Sequence, residues 1–307
     1  MSWSAPLSVR RRPKVRTLTR TLWHDQVMGR DAAAIGDLSD GKVRSRIRNF
    51  TYRIMRDSAT GVDSVAGGFA VLNSEFPNSY EHNCLVVDRL VDPSVLMEEA
   101  DRVLGGAGLR HRAIELDVED VGADWLAPFR DCGYEVHPNL TMVLRRPSER
   151  ASSTPVERVP YEQLKPMVEA DWRRERPRAT EQSIRQLVER RAATYRACEV
   201  SHHAVRGPDG IIARCDLYRI PPMAQVENVE TEPQWQNRGY ATAVVLDAVE
   251  LAQRSGCDLI FLRADAEDWP QHLYRRLGFE RAGGGFTLQR VSKASVDGAP
   301  SPSAPTH

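Results

Sequence analysis

The sequence lacks the features that would send a chain of this length to several common destinations. No long apolar run lies behind the polar, basic stretch from Arg10 to Arg20, so nothing reads as a signal peptide or a membrane anchor, and a cytoplasmic location is expected. The five cysteines (Cys84, Cys132, Cys198, Cys215 and Cys257) form no CxxC and no short pair, which argues against a disulfide framework and against a zinc site. Lysine is scarce, with only Lys14, Lys42, Lys165 and Lys293 beside many arginines. Net charge is missing too: 42 basic and 42 acidic side chains cancel, so no global field recruits nucleic acid or an anionic membrane. What is present is the ordinary mixture of a folded protein, 41% hydrophobic and 27% charged, in 307 residues, a length that calls for two cores.

Composition divides the chain. Ser292 to His307 is rich in Ser, Pro, Ala and Gly without periodic apolar positions and reads as a disordered tail. Arg146 to Pro155 has linker composition. The expected layout is a basic flexible arm at 1–16, a first domain at 17–146, a linker at 147–155, a second domain at 156–291 and the tail at 292–307. The two halves also echo one another. Phe129-Arg-Asp-Cys-Gly-Tyr-Glu135 can be laid on Tyr274-Arg-Arg-Leu-Gly-Phe-Glu280, an offset of 145 residues, and each run leads into an alternating apolar segment ending in arginine, at Arg145 and Arg290. The pattern suggests a tandem duplication.

In the second half, Leu164, Met167, Val168 and Trp172 share one face of a helix expected from Tyr161 to about Arg174. Thr180 can cap a following helix that carries Ile184, Leu187, Val188 and Tyr195. Strands are expected at 204–206, at 211–220 after the Gly207-Pro-Asp-Gly210 turn, and at 225–231. A helix from about Ala241 to Arg254 is closed by Gly256, and the apolar run Leu259–Leu262 reads as a buried strand. A short helix near 269–276 and a last strand or hairpin to Arg290 complete a mixed α/β order.

The richest segment runs from Val226 to Ala241, a strand leading through a polar loop into a helix start. Its end, Gln236-Asn-Arg-Gly-Tyr-Ala241, matches [QR]-x-x-G-x-[GA]. A helix start is an anion site, because its first N–H groups are unsatisfied and the helix dipole adds partial positive charge. Gly239 and Ala241 lack bulk, and Gln236 and Arg238 add donors. About 38 residues later comes Leu273-Tyr-Arg-Arg-Leu-Gly-Phe279. Together these runs resemble the pyrophosphate loop and the LYxxLGF ending of the GNAT (GCN5-related) N-acetyltransferase superfamily, over about Val156 to Val291.

The resemblance implies an α/β fold of two tandem GNAT-like domains, each a mixed, largely antiparallel twisted sheet flanked by helices. It implies acetyl-CoA as cosubstrate and no metal. It assigns pyrophosphate contacts to Gln236, Asn237, Arg238, Gly239, Tyr240, Ala241 and Thr242, and pantetheine pairing to backbone groups of Val229, Glu230 and Thr231. Tyr274 would protonate the departing thiolate, and Glu227 would serve as base for a primary amine. On plain strand alternation Glu230 points to the face opposite Glu227, and Glu232 falls in the loop. Where many members carry asparagine and alanine, this sequence has Glu267 and Pro270, which puts cofactor contacts from that helix in doubt.

The first half cannot offer the same cradle. The 145-residue offset carries Gln236 onto Val91, and Val91-Asp-Pro-Ser-Val-Leu96 has neither glycine nor arginine. Tyr274 falls on Phe129, which has no proton to give. This half is therefore expected to be a degenerate GNAT-like domain whose work is to complete the acceptor pocket, with Phe76, Tyr80, Glu81 and His82 as contributors. The His202-His203 pair is given no acidic partner at catalytic spacing and reads as strand-face histidines. Arg173, Arg174, Arg176 and Arg178, between the first two helices where this family often borders its acceptor, could meet an anionic acceptor, but the interleaved glutamates favour a solvated cluster. The acceptor is a small-molecule or peptide amine, with no membrane or nucleic-acid partner expected. Transfer of another acyl group, or a non-catalytic CoA-binding sensor whose Arg10–Arg16 arm meets a polyanion, are the competing readings.

Overall fold

The computed structural model describes residues 40–266 and 270–291. The expected arm and tail, and Glu267, lie outside the described residues. The first half comprises helix α1 (Asp40–Asp57), strands β1 (Gly61–Val65), β2 (Gly68–Leu72) and β3 (Cys84–Val87), α2 (Pro93–Ala100), β4 (His111–Leu116), α3 (Ala123–Asp131) and β5 (Glu135–Leu144). The second comprises β6 (Glu157–Val159), α4 (Tyr161–Glu175), α5 (Glu181–Glu189), α6 (Arg191–Ala197), β7 (Glu199–Gly207), β8 (Gly210–Ile220), β9 (Met223–Thr231), α7 (Tyr240–Arg254), β10 (Leu259–Asp265), α8 (Pro270–Arg276) and β11 (Phe279–Val291).

Among the described residues the strands form one sheet, ordered β1-β2-β3-β4-β11-β5-β10-β9-β8-β7-β6. Only β3 with β4 and β9 with β10 run parallel; the remaining neighbours are antiparallel. The two halves exchange their last strands. β5, from the first half, pairs with β10, whereas β11, from the second, pairs with β4. At the centre β5 and β11 pair with each other from Phe279↔Leu144 to Gln289↔Glu135. The segment expected as a linker, 147–155, is irregular, and the sheet is continuous across the halves that it joins.

Each half buries helices on both faces, which is the arrangement that lets a sheet hide two apolar sides. In the second half α7 and α8 cover Ala213, Cys215, Ala224, Val226, Ile260 and Leu262, and α4 and α5 cover Ala204 on the other face. In the first half α2 and α3 cover Leu85, Val87, Ile114 and Leu116, and Tyr52 of α1 lies with Phe69, Val71 and Val86 on the opposite face. Phe50 of α1 also meets Phe261 of β10 edge to face, at 5.2 Å.

The repeated junction seen in the sequence is a repeated geometry. α3 ends at Gly133 (φ 78°) before β5, and α8 ends at Gly278 (φ 95°) before β11. Phe129 packs edge-on against Tyr134 at 5.4 Å, and Tyr274 against Phe279 at 6.2 Å. The second expected helix is two, α5 and α6. Thr180 caps the first, its hydroxyl accepting from the Ser183 N–H at 3.2 Å.

Candidate active site

The parallel ladder between β9 and β10 ends at Val226↔Leu262, although both strands continue, to Thr231 and to Asp265. Beyond that pair β10 follows β5 and β9 follows β8, so a wedge opens between them. Backbone groups of Val229, Glu230 and Thr231 line one side of it. The hydroxyl of Thr231 is buried without a partner among the described residues.

The parting has a local cause. The β8–β9 register slips between Arg214 and Asp216: Asp216 faces Glu227, and Arg214 faces Glu230. The slip is a bulge at Asn228, a non-glycine residue at φ 52°, and asparagine tolerates this left-handed conformation better than most. The bulge corrects the expectation from simple alternation. Arg214 and Asp216 lie two residues apart on one face, so their partners Glu230 and Glu227 share a face instead of opposing one another. Glu230 is held 2.8 Å from Arg214, within 3.8 Å of which lies Asp171. Burial and the neighbouring Asp171 push the Glu230 carboxyl up, against the pull of Arg214.

Glu227 accepts a hydrogen bond from the Gln225 amide. Burial raises its pKa to about 7; Glu81 and Asp216 push the same way, while Arg263 and Arg191 pull back. Tyr274 is 7% exposed and sits in the core on the α7 side. Burial raises its pKa further above its already high ordinary value, and the charge of Glu227 adds to this. At neutral pH the tyrosine keeps its proton and the glutamate is poised near half-ionisation.

The loop that follows β9 turns at Pro233–Trp235 and enters α7 through Gly239, which has φ 86° and offers no side-chain cap. Asn237 is also left-handed, at φ 61°. Ala243 N–H donates to the Gly239 carbonyl at 3.1 Å, which leaves the preceding N–H groups of Tyr240, Ala241 and Thr242 outside the helix's own ladder. A Cβ built on Gly239 would meet nothing within 4 Å, so the space before the helix is open. Arg238 stacks over Trp235 at 4.8 Å, and the Gln236 amide donates to the Thr231 carbonyl at 3.3 Å. A bare helix start, a left-handed glycine and free space in front fit a phosphate-bearing group.

A cavity of about 400 Å³ adjoins Glu227. Its walls come from both halves: Thr51 and Met55 of α1, Glu81 and His82 of the first half, and Tyr218, Asn228 and Arg263 of the second. His82 is buried, bonds Ser79 through Nδ1 at 2.8 Å, and is lowered to about 4, first by burial, so it is neutral in the cell's pH range. Of the expected contributors from this loop, Glu81 and His82 reach the cavity; Phe76 and Tyr80 do not line it. Tyr80 instead stacks on His111 and lies under Arg176.

The histidine pair is a second correction. His202 Nδ1 lies 2.5 Å from Asp216, and its Nε2 lies 2.7 Å from the Tyr195 hydroxyl. His203 Nδ1 lies 2.6 Å from Asp247. These acids are far off in sequence, but β7–β8 pairing sets His202 opposite Asp216, and the turn at Gly207–Gly210 was the available signal. The arginine cluster is largely paired on the surface: Arg173 with Glu169 and Glu181, and Arg174 with Asp171.

Residues 161–279 match the family model described as Acetyltransferase (GNAT) family. No protein of curated function matches the chain significantly. Solved structures share its fold at low identity. A conserved protein of unknown function from Staphylococcus epidermidis is 11% identical at TM-score 0.60, covering 75% of this chain and 93% of its own. A GCN5-related N-acetyltransferase from Kribbella flavida is 15% identical at TM-score 0.55, covering 82% and 96%. A tandem GNAT protein from the clavulanic acid biosynthesis pathway is 12% identical at TM-score 0.50, covering 85% and 98%. The fold is thus that of tandem GNAT proteins, across both halves.

Proposed function

With a GNAT-family domain at residues 161–279 as the premise, we propose that this protein transfers the acetyl group of acetyl-CoA to a primary amine, by direct attack within a ternary complex. The observation that carries the proposal is the coincidence of the β9–β10 wedge with the bare start of α7, with Glu227 one step past the last pair of β9 and β10.

In this reading the N–H groups of Gly239 to Thr242 receive the pyrophosphate, with Gln236, Asn237 and Arg238 at its flank. Backbone groups of Val229, Glu230 and Thr231 align the pantetheine arm as an added strand would. Glu227, ionised in half of the molecules near pH 7, takes the proton from the acceptor ammonium and leaves a lone pair to attack the thioester carbonyl. The C–S bond breaks as the new C–N bond forms; Tyr274 passes its proton to the departing sulfur, and the extra proton shed by the new amide nitrogen restores the tyrosine. The first half closes the acceptor cavity and binds no cofactor of its own. No cysteine acts as a nucleophile: burial raises the thiol pKa of Cys215 and of Cys257, the two cysteines of the core that holds Tyr274.

Calorimetry with acetyl-CoA tests the reading. Wild type should bind at micromolar concentrations, and Gly239→Asp should abolish binding by setting a carboxylate against phosphate. Gly239→Asn, which also tolerates the left-handed turn, should weaken binding far less. Folded wild type that binds no acetyl-CoA would end the enzyme reading. Binding without turnover across a broad amine panel would favour a sensor.

A further inference from the structure

One group close to the site has no part in that chemistry. Asp216 is fully buried at the middle of β8 and uses both of its oxygens. Oδ1 meets His202; Oδ2 meets Arg191 at 3.0 Å and accepts from the Asn228 amide at 2.8 Å. The same amide nitrogen lies 3.1 Å from the Tyr218 hydroxyl, which Arg191 also engages. Burial alone would keep such a carboxyl protonated, but Arg191, His202 and Arg214 outweigh it and hold it ionised.

Asn228 is the residue at the bulge, directly after Glu227, in a left-handed conformation that asparagine tolerates and that most side chains would resist. Its one long-range anchor to a charged group is Asp216. We propose that Asp216 is a positioning residue: through Asn228 it locks the bulge directly after Glu227, where β9 parts from β10, and so fixes that carboxylate at the rim of the cavity. Arg191 and His202 in turn fix Asp216, and the Tyr195 hydroxyl fixes His202 from the surface side. The inference rests on the acyl-transfer reading only in giving Glu227 a chemical task; the geometry of the lock stands without it.

Three variants separate the parts. Asn228→Gly keeps the left-handed backbone available but removes the anchor; Asn228→Ala removes both; Asp216→Asn keeps the shape and removes the charge. The groups whose charge reaches Glu227 most strongly are Arg263 of β10, Glu81 of the first half, Arg191 of α6 and Asp216 of β8. With the lock released, kcat should fall about 10-fold in Asn228→Gly while KM for acetyl-CoA stays within about threefold, and Asn228→Ala should lose more. A carboxyl-labelled NMR titration reads the same lock without turnover. Glu227 should titrate near 7 in wild type and move toward the ordinary carboxylate range in Asn228→Gly, which leaves the charges around it in place. A Glu227 titration and a kcat unchanged in folded Asn228→Gly would overturn the positioning role. If wild type turns over no amine, the acyl-transfer reading fails, and the titration still decides the lock.

Discussion

The helix that follows β3 and the helix that follows β9 occupy matching places in the two halves, and their first residues differ in kind. α7 begins at a left-handed glycine with no cap and open space before it. α2 begins with Asp92, whose carboxylate accepts the Ser94 N–H at 2.8 Å, and Pro93 removes a further donor. One helix start leaves its donors open; the other has satisfied them from within. The strands repeat the contrast. The 145-residue offset sets Thr141 on Phe286, and their partners are Arg263 and Leu116. Leu116 pairs on its other side with Val87, whereas Arg263 stands level with Glu227, one step past the last pair of β9 and β10. Buried Val87 thus holds the place of Glu227, and the first half's parallel ladder stays closed to its end, where Asp117 N–H donates to the Val87 carbonyl at 2.8 Å. The two halves differ here by small local changes: a cap, an apolar residue in place of an acid, and Phe129 in place of Tyr274.

The largest effect expected concerns whether the halves can be parted at all. A fragment beginning near Thr154 lacks β5, the strand on which both β10 and β11 pair, and should not fold alone. Co-expression with a fragment ending near Arg150 should restore a folded complex, read by co-purification and circular dichroism. A soluble, active 154–307 fragment would show that the exchange contributes little and that the first half is dispensable.

Exchanging the aromatic pair sharpens the comparison next. Tyr274→Phe should lower kcat by about 10²-fold or more with acetyl-CoA binding retained. Phe129→Tyr should leave kcat alone but bury a hydroxyl at a fully buried site, costing about 1–3 kcal/mol in denaturant unfolding. Equal kinetic losses in both would erase the functional distinction between the halves.

The pH dependence follows from Glu227. If Glu227 is the base proposed above, it works ionised, and with its pKa raised to about 7 kcat/KM should rise through that pH and be flat and low in Glu227→Gln. Stability should move oppositely. The folded carboxyl holds its proton more tightly than the ordinary value of 4.5, so its ionisation disfavours the folded state increasingly from about 4.5 to about 7. Glu227→Gln should therefore raise Tm at pH 8 and barely change it at pH 4. The smallest effect should come from Asp92→Ala, which uncaps an exposed helix start: a slight fall in Tm and no gain of acetyl-CoA binding, since a bare start without the glycine turn and the wedge is no cradle.

The sequence carried the local signals well. The left-handed glycine before α7, the Thr180 cap, the C-terminal glycine of α7 and the repeated helix-glycine-strand junction are set by residues within a few positions of one another. Non-local choices were hidden. Either last strand could pair with either half, because both carry the same alternating pattern, and nothing local says that β5 and β11 trade places. The bulge was written in a single residue, the asparagine between Val226-Glu227 and Val229-Glu230, and missing it put Glu230 on the wrong face. The carboxylate partner of His202 needed the hairpin register, a property of two strands together.

The exchange of last strands also orders events during synthesis. The first half leaves the ribosome with β4 still lacking its neighbour, since that neighbour is β11, the last strand described in the chain. Its sheet therefore waits on an open edge while the second half is made, and closing it requires contacts between residues 111–116 and 286–291. Such distant pairing slows folding and leaves an edge free to meet other chains meanwhile. A nascent chain stalled before β11 should bind chaperones strongly, and release should coincide with the arrival of that final strand.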